Sequence, residues 1–569
     1  MGDSIFLNKN DFDKKFENII FPNFILEKNI STEGDILFNN CTFKSTFILE
    51  NLKARELFFF KCNFEEKFIL SSSFFNIGGF TDCIFSGEIN LTSNKCTSNF
   101  VLRNVRGKEF EINGEYQTLQ IVSSKIGNLI LKDINTERLY RESKIEFLVE
   151  NEINKIQIKS YITLSNIVFV GGDYKSVFFE GVFEESINFK KKVKIENLYL
   201  ESSTFKKRID FEEGEYEYIS FYRSIFQSLV LISDNNLTED IPRDLKIKEL
   251  TFHSCVFDMN VSVGMEDIQF LNLSNNNFKQ IFNFNNNADN NNENSEVTIR
   301  INGTNQGNII IERVDADVNL SDINYGNILF KDLNISTLNI CEFQNVGNVT
   351  FSNIKSGYYF TIQDSITGNL NFINFDINIF KEIVIAQSSL NGIIFNKYPN
   401  KILSYSKNSI VGYGIKEKSK SSSNLKNIYN QLKHIARGKG DIDVSNKYQS
   451  LEYKQLLLSK EFGFDTFILL LNWLSNDNGR SWFRGVIFTL SIAFLFFLLY
   501  FHFIGIVFCF EDHFKDYIIF ITSFPKLELE TYSCENNYWE VKLIIFVARI
   551  FVSYGIYQTI TAFRKYAKG

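Results

Sequence analysis

The chain has 569 residues, 44% of them hydrophobic and 22% charged, with 60 basic against 67 acidic residues and a formal net charge of −7. That length exceeds a single hydrophobic core, the apolar fraction excludes global disorder, and the charge balance offers no electrostatic basis for binding nucleic acid. Phenylalanine is unusually frequent at 61 residues, while only four prolines occur, so proline-rich linkers are absent.

Residues 1–30 read as an N-terminal cap. Met1 to Ile25 lacks a basic stretch followed by an uninterrupted apolar run, so no secretory signal is expected. Phe12, Phe16 and Ile20 are spaced as on a helix. They predict an amphipathic cover for the first turn of the next region.

Residues 31–405 repeat at close to 21 residues. Cys41-x-Phe43, Cys62-x-Phe64 and Cys83-x-Phe85 are separated by 21 and 21, and Phe38, Phe59 and Phe80 keep the same step. Gly326-Asn-Ile-Leu-Phe330, Gly347-Asn-Val-Thr-Phe351 and Gly368-Asn-Leu-Asn-Phe372 repeat a second phrase at that interval. A fixed period with alternating apolar residues predicts a mainly β chain: a right-handed parallel β-helix, one coil of about 21 residues per repeat. Leucine-rich repeats share the period, but no LxxLxLxxN phrase occurs. Whether the coil has three sides or four stays open.

The Gly-Asn pairs suit corners needing positive φ, and Gly78-Gly79 and Gly171-Gly172 read as corners too. Departures from the period predict loops at Asp234 to Arg243 and at the asparagine-rich tract Asn283 to Glu296. Phe two residues after Cys41, Cys62 and Cys83 implies an apolar interior. Buried packing thiols are expected there rather than metal ligands. Eight cysteines without a CxxC pair fit a reducing compartment. Glu180, Glu184 and Glu185 read as solvated corner charge.

Residues 406–480 change to helical spacing. Tyr429, Leu432 and Ile435 share one face, Gly438 to Gly440 break it, and Tyr448 to Leu456 begin a second helix, together a helical-hairpin linker. Phe467 to Leu471 with Trp473 is too short to cross a bilayer, so it is expected at the membrane interface. Trp473 and Trp482 are the interfacial anchors.

Residues 481–569 form a two-span hairpin. Val486 to Phe510 contains no Asp, Glu, Lys or Arg over 25 residues, and 18 of them are Leu, Ile, Phe or Val. Val541 to Phe563 carries Lys542 and Arg549 among 12 such residues and needs protein neighbours. Arg480 and Arg484 precede the first span, Arg564, Lys565 and Lys568 follow the second, and the connection between the spans is acidic. The positive-inside rule then places both termini and the solenoid in the cytoplasm, on a multi-pass inner-membrane protein. Cys509 and Cys534 would both face the oxidising side, where a disulfide between them is as plausible as free thiols.

Arg549, Ser553, Tyr557 and Thr561 fall on one helical face. Such a polar stripe suits either a pore and gating surface or a structural contact, with the structural contact favoured. Tyr517 to Phe524 before Pro525 reads as an ordinary outer loop, with a segment dipping back into the membrane as the alternative. The four histidines are scattered, and no GxSxG, Walker A or HExxH motif occurs, so neither enzymatic activity nor a cofactor is expected.

Three stretches carry a family resemblance. Ile428-Tyr-Asn-Gln-Leu-Lys433 with Gly440-Asp441 and Tyr448 to Glu452, Leu474 to Trp482 (LSNDNGRSW), and Arg549 to Lys565 (RIFVSYGIYQTITAFRK) resemble the linker and two-span tail of bacterial membrane-attached pentapeptide-repeat-like proteins. The solenoid departs from that family, with 21 residues per coil rather than 20 and no A-[DN]-L-x-x consensus. The resemblance implies a cytoplasmic β-helix on a membrane anchor, without a settled activity. Some relatives carry a two-span potassium-channel module, whereas no TVGYG-like filter lies between Glu511 and Glu540. The expected function is therefore a nonenzymatic, membrane-anchored solenoid that binds a macromolecular partner or further copies of itself. Its alternative is an oligomeric ion-conducting pore of an antiphage or stress response. Expected partners are membrane lipid, an unidentified protein and, in a homo-oligomer, the chain itself.

Overall fold

Alternate side chains of an extended backbone point to the same side, and the first coils bury such residues in pairs. Ile36 and Phe38, Cys41 and Phe43, Phe47 and Leu49, and Leu52 and Ala54 are each at most 3% exposed, and Leu57 and Phe59 open the next coil. The pairs advance by three steps of five residues and one of six. That pattern is the origin of the 21-residue period, and it makes the coil four-sided in this stretch. The computed structural model describes residues 5–7, 15–22, 24–26, 30–135, 144–163, 166–233, 245–264, 268–285, 296–355, 357–403, 418–459, 463–505, 509–522 and 539–567. They belong to two compact units, one of residues 1–360, 369–381 and 394–397, the other of 361–368, 382–393 and 398–569.

The first unit is a parallel β-solenoid. Asp35–Asn39 pairs in parallel with Glu56–Phe60, which pairs in turn with Ile77–Thr81. One inward position runs from Phe38 through Phe59, Phe80, Leu102 and Ile121 to Phe147. It continues from Phe169 through Phe211, Ile232, Val263, Phe284 and Ile311 to Phe372. The ladder survives three long coils, from Ile121 to Phe147, Ile232 to Val263 and Phe284 to Ile311. The loop expected at Asp234 to Arg243 lies outside the described residues, as does most of the asparagine tract. Asn283 itself continues the strand Asn277–Asn285.

Stacking explains the demand for phenylalanine. The rings of Phe43 and Phe64 are 4.7 Å apart and nearly parallel, and Phe64 and Phe85 repeat this at 4.6 Å. Each such pair contributes about 0.5–1.5 kcal/mol beyond its buried area. Phe226 still stacks on Phe257 at 4.8 Å although 31 residues separate them.

The stack begins earlier than expected. Lys15–Glu17 pairs with Leu37–Asn39 and Ile20–Phe21 with Thr42–Phe43, both in parallel. Phe16 stacks on Phe38 at 4.9 Å and Phe21 on Phe43 at 4.8 Å. The helical cap is thus corrected at Phe16 and Ile20, which lie in strands, while Phe12 falls outside the described residues. The five-residue step from Phe16 to Phe21 belongs to the coil, and Ile20 points outward at 59% exposure.

Corners are marked by backbone handedness. Asn40, Asn51, Lys61, Ser72, Asp82 and Ser93 all have φ between 50° and 55°, two such residues per coil. Asn, Asp and Ser tolerate this conformation by local hydrogen bonding; Lys61 adopts it at a cost of about 1–2 kcal/mol. A small inward residue follows each of several corners. Ser73 Oγ accepts from the Leu52 N–H, and Asn94 Oδ1 accepts from the Ser73 N–H. Cys62 and Cys83 fill the same kind of position and direct their thiols at the carbonyls of Phe60 and Phe59, both at 3.3 Å. Burial pushes the Cys96 and Cys255 thiols up to about 12.

The Gly-Asn phrase works differently from the expected corner. Gly307 and Gly368 have positive φ, at 99° and 50°, but Gly326 and Gly347 do not. At those two a Cβ would lie 2.0 Å from the carbonyl oxygens of Gly307 and Gly326 respectively, so close coil-to-coil approach excludes a side chain. The asparagines form an outer ladder: Asn348 Nδ2 donates to Asn327 Oδ1, and Asn327 Nδ2 to Asn308 Oδ1, each at 2.8 Å. Gly171 and Gly172 are positive-φ corners, whereas Gly78 and Gly79 lie inside the strand Ile77–Thr81.

The second unit holds six helices among the described residues: α1 (Lys418–Gly438), α2 (Ile442–Ser459), α3 (Phe464–Asn476), α4 (Trp482–Ile504), α5 (Phe510–Thr522) and α6 (Trp539–Ala567). Helices α1 and α2 form the expected hairpin. Gly440, at φ 82°, turns the chain, Lys433 pairs with Glu452 at 2.7 Å, and Tyr429 lies on Tyr448. Helices α4 and α6 are long and apolar enough to cross a bilayer.

Candidate functional site

Two long apolar helices need small residues where their backbones approach, and α4 and α6 supply a reciprocal pair. A Cβ on Gly485 would lie 2.6 Å from Thr559 Oγ1, and one on Gly555 would lie 2.4 Å from Thr489 Oγ1. Both threonine hydroxyls donate to their own helix, Thr489 to the Gly485 carbonyl at 2.8 Å and Thr559 to the Gly555 carbonyl at 2.9 Å. Each polar group is thereby satisfied without water. Ala548, Val552 and Ala562 complete the buried side of α6. Leu490, Leu495, Phe546, Ile550 and Ile560 remain exposed.

A polar clasp joins α3 to α6. Tyr554 Oη and Gln558 Nε2 both donate to Asn472 Oδ1, at 2.6 and 2.8 Å. Asn476 Nδ2 donates to Gln558 Oε1 at 2.7 Å and to its carbonyl at 3.0 Å, while Asn476 Oδ1 accepts from the Gly479 N–H. Asn476 is 1% exposed. Arg484 places its guanidinium over the Trp473 ring and donates to the Trp473 carbonyl. Trp473 is half-buried, and Trp482 is largely exposed with its ring near Phe563. On α3, Phe464, Phe467, Ile468 and Leu474 are exposed.

The four residues of the candidate pore face lie beside this clasp, not in it. Tyr557 is exposed, while Arg549, Ser553 and Thr561 are half-buried. The residues that bond Asn472 and Asn476 are Tyr554 and Gln558, each one position beyond Ser553 and Tyr557. Asn472 and Asn476, four residues apart on α3, were the available signal in the sequence, because two amides on one face of an apolar helix require partners.

The same unit carries separate polar contacts between coil and helices. Gln431 Oε1 accepts from the Leu390 N–H and its Nε2 donates to the Ser388 carbonyl. Tyr448 Oη donates to the Pro399 carbonyl at 2.8 Å, and burial pushes that phenol far above its usual range. Ser450 Oγ donates to Asp477 Oδ1, and Asp477 also faces Arg480 and Arg484 at 3.8 Å. Asp477 immediately follows α3. These contacts join Ser388, Leu390 and Pro399 to α1 and α2, and α2 to the residue that follows α3.

Helix α5 covers most of the segment expected as an outer loop. His513 packs on Phe501, Phe520 on Phe497, and Tyr517 Oη donates to the Leu490 carbonyl at 2.7 Å. The helix folds back along α4. Cys509 is exposed. Cys534 lies outside the described residues, and the proposed disulfide with it.

In the solenoid unit a groove of about 610 Å³ crosses several coils, walled by Glu152, Asp173, Lys194 and Glu215 on one side and Lys175, Glu196, Glu217 and Lys248 on the other. Its charges pair between coils, Lys194 with Glu215 at 3.0 Å and Lys248 with Glu217 at 2.6 Å. Nearby, Phe178 stacks on Tyr199 at 4.6 Å, and Tyr218 lies 5.8 Å from Tyr199. Of the acidic cluster, Glu180, inside the strand Asp173–Phe183 rather than at a corner, pairs with Lys159, and Glu184 pairs with Lys206. Among the described residues, no group of three or more His, Cys, Asp or Glu side chains is placed to hold a metal. No protein-family model, curated protein or solved structure matches the chain.

Proposed function

We propose that this is a nonenzymatic, pentapeptide-repeat-like protein of the inner membrane, whose cytoplasmic solenoid binds a macromolecular partner or another copy of the chain. Helices α4 and α6 are its anchor, Trp473 and Trp482 sit at headgroup level, and the α1–α2 hairpin transmits recognition toward the spans. The observation that carries this reading is the series of polar contacts that fixes α1 and α2 to Ser388, Leu390 and Pro399, α2 to Asp477, and α3 to Gln558. A passive tether needs no such contacts. The five-residue inward step supports the pentapeptide-like part, with one extra residue per coil. The charge-paired groove and the Phe178–Tyr199 face are the candidate recognition surface.

The test is full-length protein in nanodiscs, studied by native mass spectrometry and by affinity capture with and without Tyr199→Ala and Lys248→Glu. A defined partner or self-assembly that these substitutions abolish supports the reading. An unchanged, partner-free monomer in native membranes overturns it.

A second reading is an oligomeric pore gated by the solenoid, and the fold-back of α5 along α4 favours it. Two spans cannot enclose a pore alone, so this reading requires oligomers. Ion flux into liposomes, altered by Arg549→Leu, is its expected signature, and a strict monomer eliminates it.

A further inference from the structure

We infer that α5 is a re-entrant half-helix, which enters the bilayer from the side of the α4–α6 connection and lays Phe514, Ile518 and Ile519 against lipid acyl chains. The inference rests on α4 being a membrane span. Helix α4 is 23 residues long, or roughly 34 Å. Leu490 lies 14 residues before its C-terminal Ile504, roughly 21 Å along the axis. The Tyr517 hydroxyl reaches the Leu490 carbonyl, so it sits near the middle of the hydrocarbon layer that α4 would cross.

Further contacts of α5 fall on the C-terminal half of α4. His513, in its first turn, meets Phe501, near the C-terminal end of α4. Tyr517, one turn on, meets Phe494 and Phe497, and Phe520, two turns on, meets Phe497 and Tyr500. Tyr517 makes the deepest of these contacts. The composition of α5 turns apolar towards it, from Glu511, Asp512, Lys515 and Asp516 to Tyr517-Ile-Ile-Phe-Ile521. The inner side is covered, with Phe520 at 5% exposure, while Phe514, Ile518 and Ile519 are 46%, 45% and 37% exposed. An aqueous loop would expose this apolar side to water; a bilayer covers it.

The test uses full-length protein in liposomes with Cys341, Cys509 and Cys534 replaced by Ser. Single cysteines at Lys515, Ile518, Ile519 and, on α4, Leu495 each carry a bimane label. Lipids brominated at mid-chain are expected to quench the labels at Leu495, Ile518 and Ile519 several-fold more than the label at Lys515. Quenching at Leu495 without quenching at Ile518 and Ile519 overturns the inference. Crosslinking between copies through Ile519→Cys then identifies a second copy as the cover, and no crosslinking puts α5 in water. Absence of quenching at Leu495 as well means that α4 is not a span, and the proposal falls together with the anchor reading.

Discussion

Gly555 lies against Thr489 so closely that a Cβ added to the glycine would stand 2.4 Å from the threonine Oγ1. Replacement with Leu forces α4 and α6 apart. Overpacking of this kind costs about 1–3 kcal/mol, and Gly485→Leu should cost a similar amount. Both are checked by unfolding in mild micelles, followed at Trp482 and Trp539. Unfolding of the solenoid should be unchanged.

The Asn472–Gln558 clasp predicts coupling. Hydrogen bonds between helices in lipid contribute about 0.6 kcal/mol on average and up to about 1.7 kcal/mol. A double-mutant cycle of Asn472→Ala and Gln558→Leu should give an interaction energy in that range. Tyr557→Phe, which alters an exposed neighbour, should give none.

Glycines in the two units should respond oppositely to alanine. At Gly347 a Cβ would fall 2.0 Å from the Gly326 carbonyl oxygen, and Gly347→Ala should destabilise the solenoid by about 1–3 kcal/mol. Gly438, at the end of α1, has nothing within 4 Å of its Cβ direction. Gly438→Ala should be neutral, or stabilising by up to about 1 kcal/mol. Thermal unfolding by circular dichroism distinguishes the two.

His253 carries a pH signature. Partial burial, followed by the Arg223 charge, holds its pKa below the ordinary value of 6.5. The unfolded chain therefore takes up the proton first as pH falls. The stability tied to neutral His253 is complete above pH 6.5 and is lost as pH drops through the lower folded value. Imidazole titration by NMR should show the lowered midpoint. Replacing His253 with Phe, which preserves the ring stacked on Tyr222 at 5.0 Å, should flatten that part of the stability profile.

Legibility followed the range of the forces involved. The recurrence of Phe43, Phe64 and Phe85 reports a stack because identical inward positions must meet from one coil to the next. Phe16 and Ile20 are spaced as on a helix, whereas Phe16 and Phe21 are spaced as on one coil edge. Only pairing with Leu37–Asn39 and Thr42–Phe43 separates the two. The need for glycine at 326 and 347 was visible, but its cause was not, because the obstacle is a carbonyl of the preceding coil.

The sequence by itself determined the solenoid period, the helical hairpin and the two apolar helices, since each is a pattern repeated along a single chain segment. The tertiary structure alone decided that Tyr554 and Gln558, rather than the stripe through Arg549, hold α3, and that α5 turns back along α4. Those choices join residues up to 86 positions apart. They depend on which helix faces meet, and hydropathy, which reports transfer of each segment from water, carries no information about that.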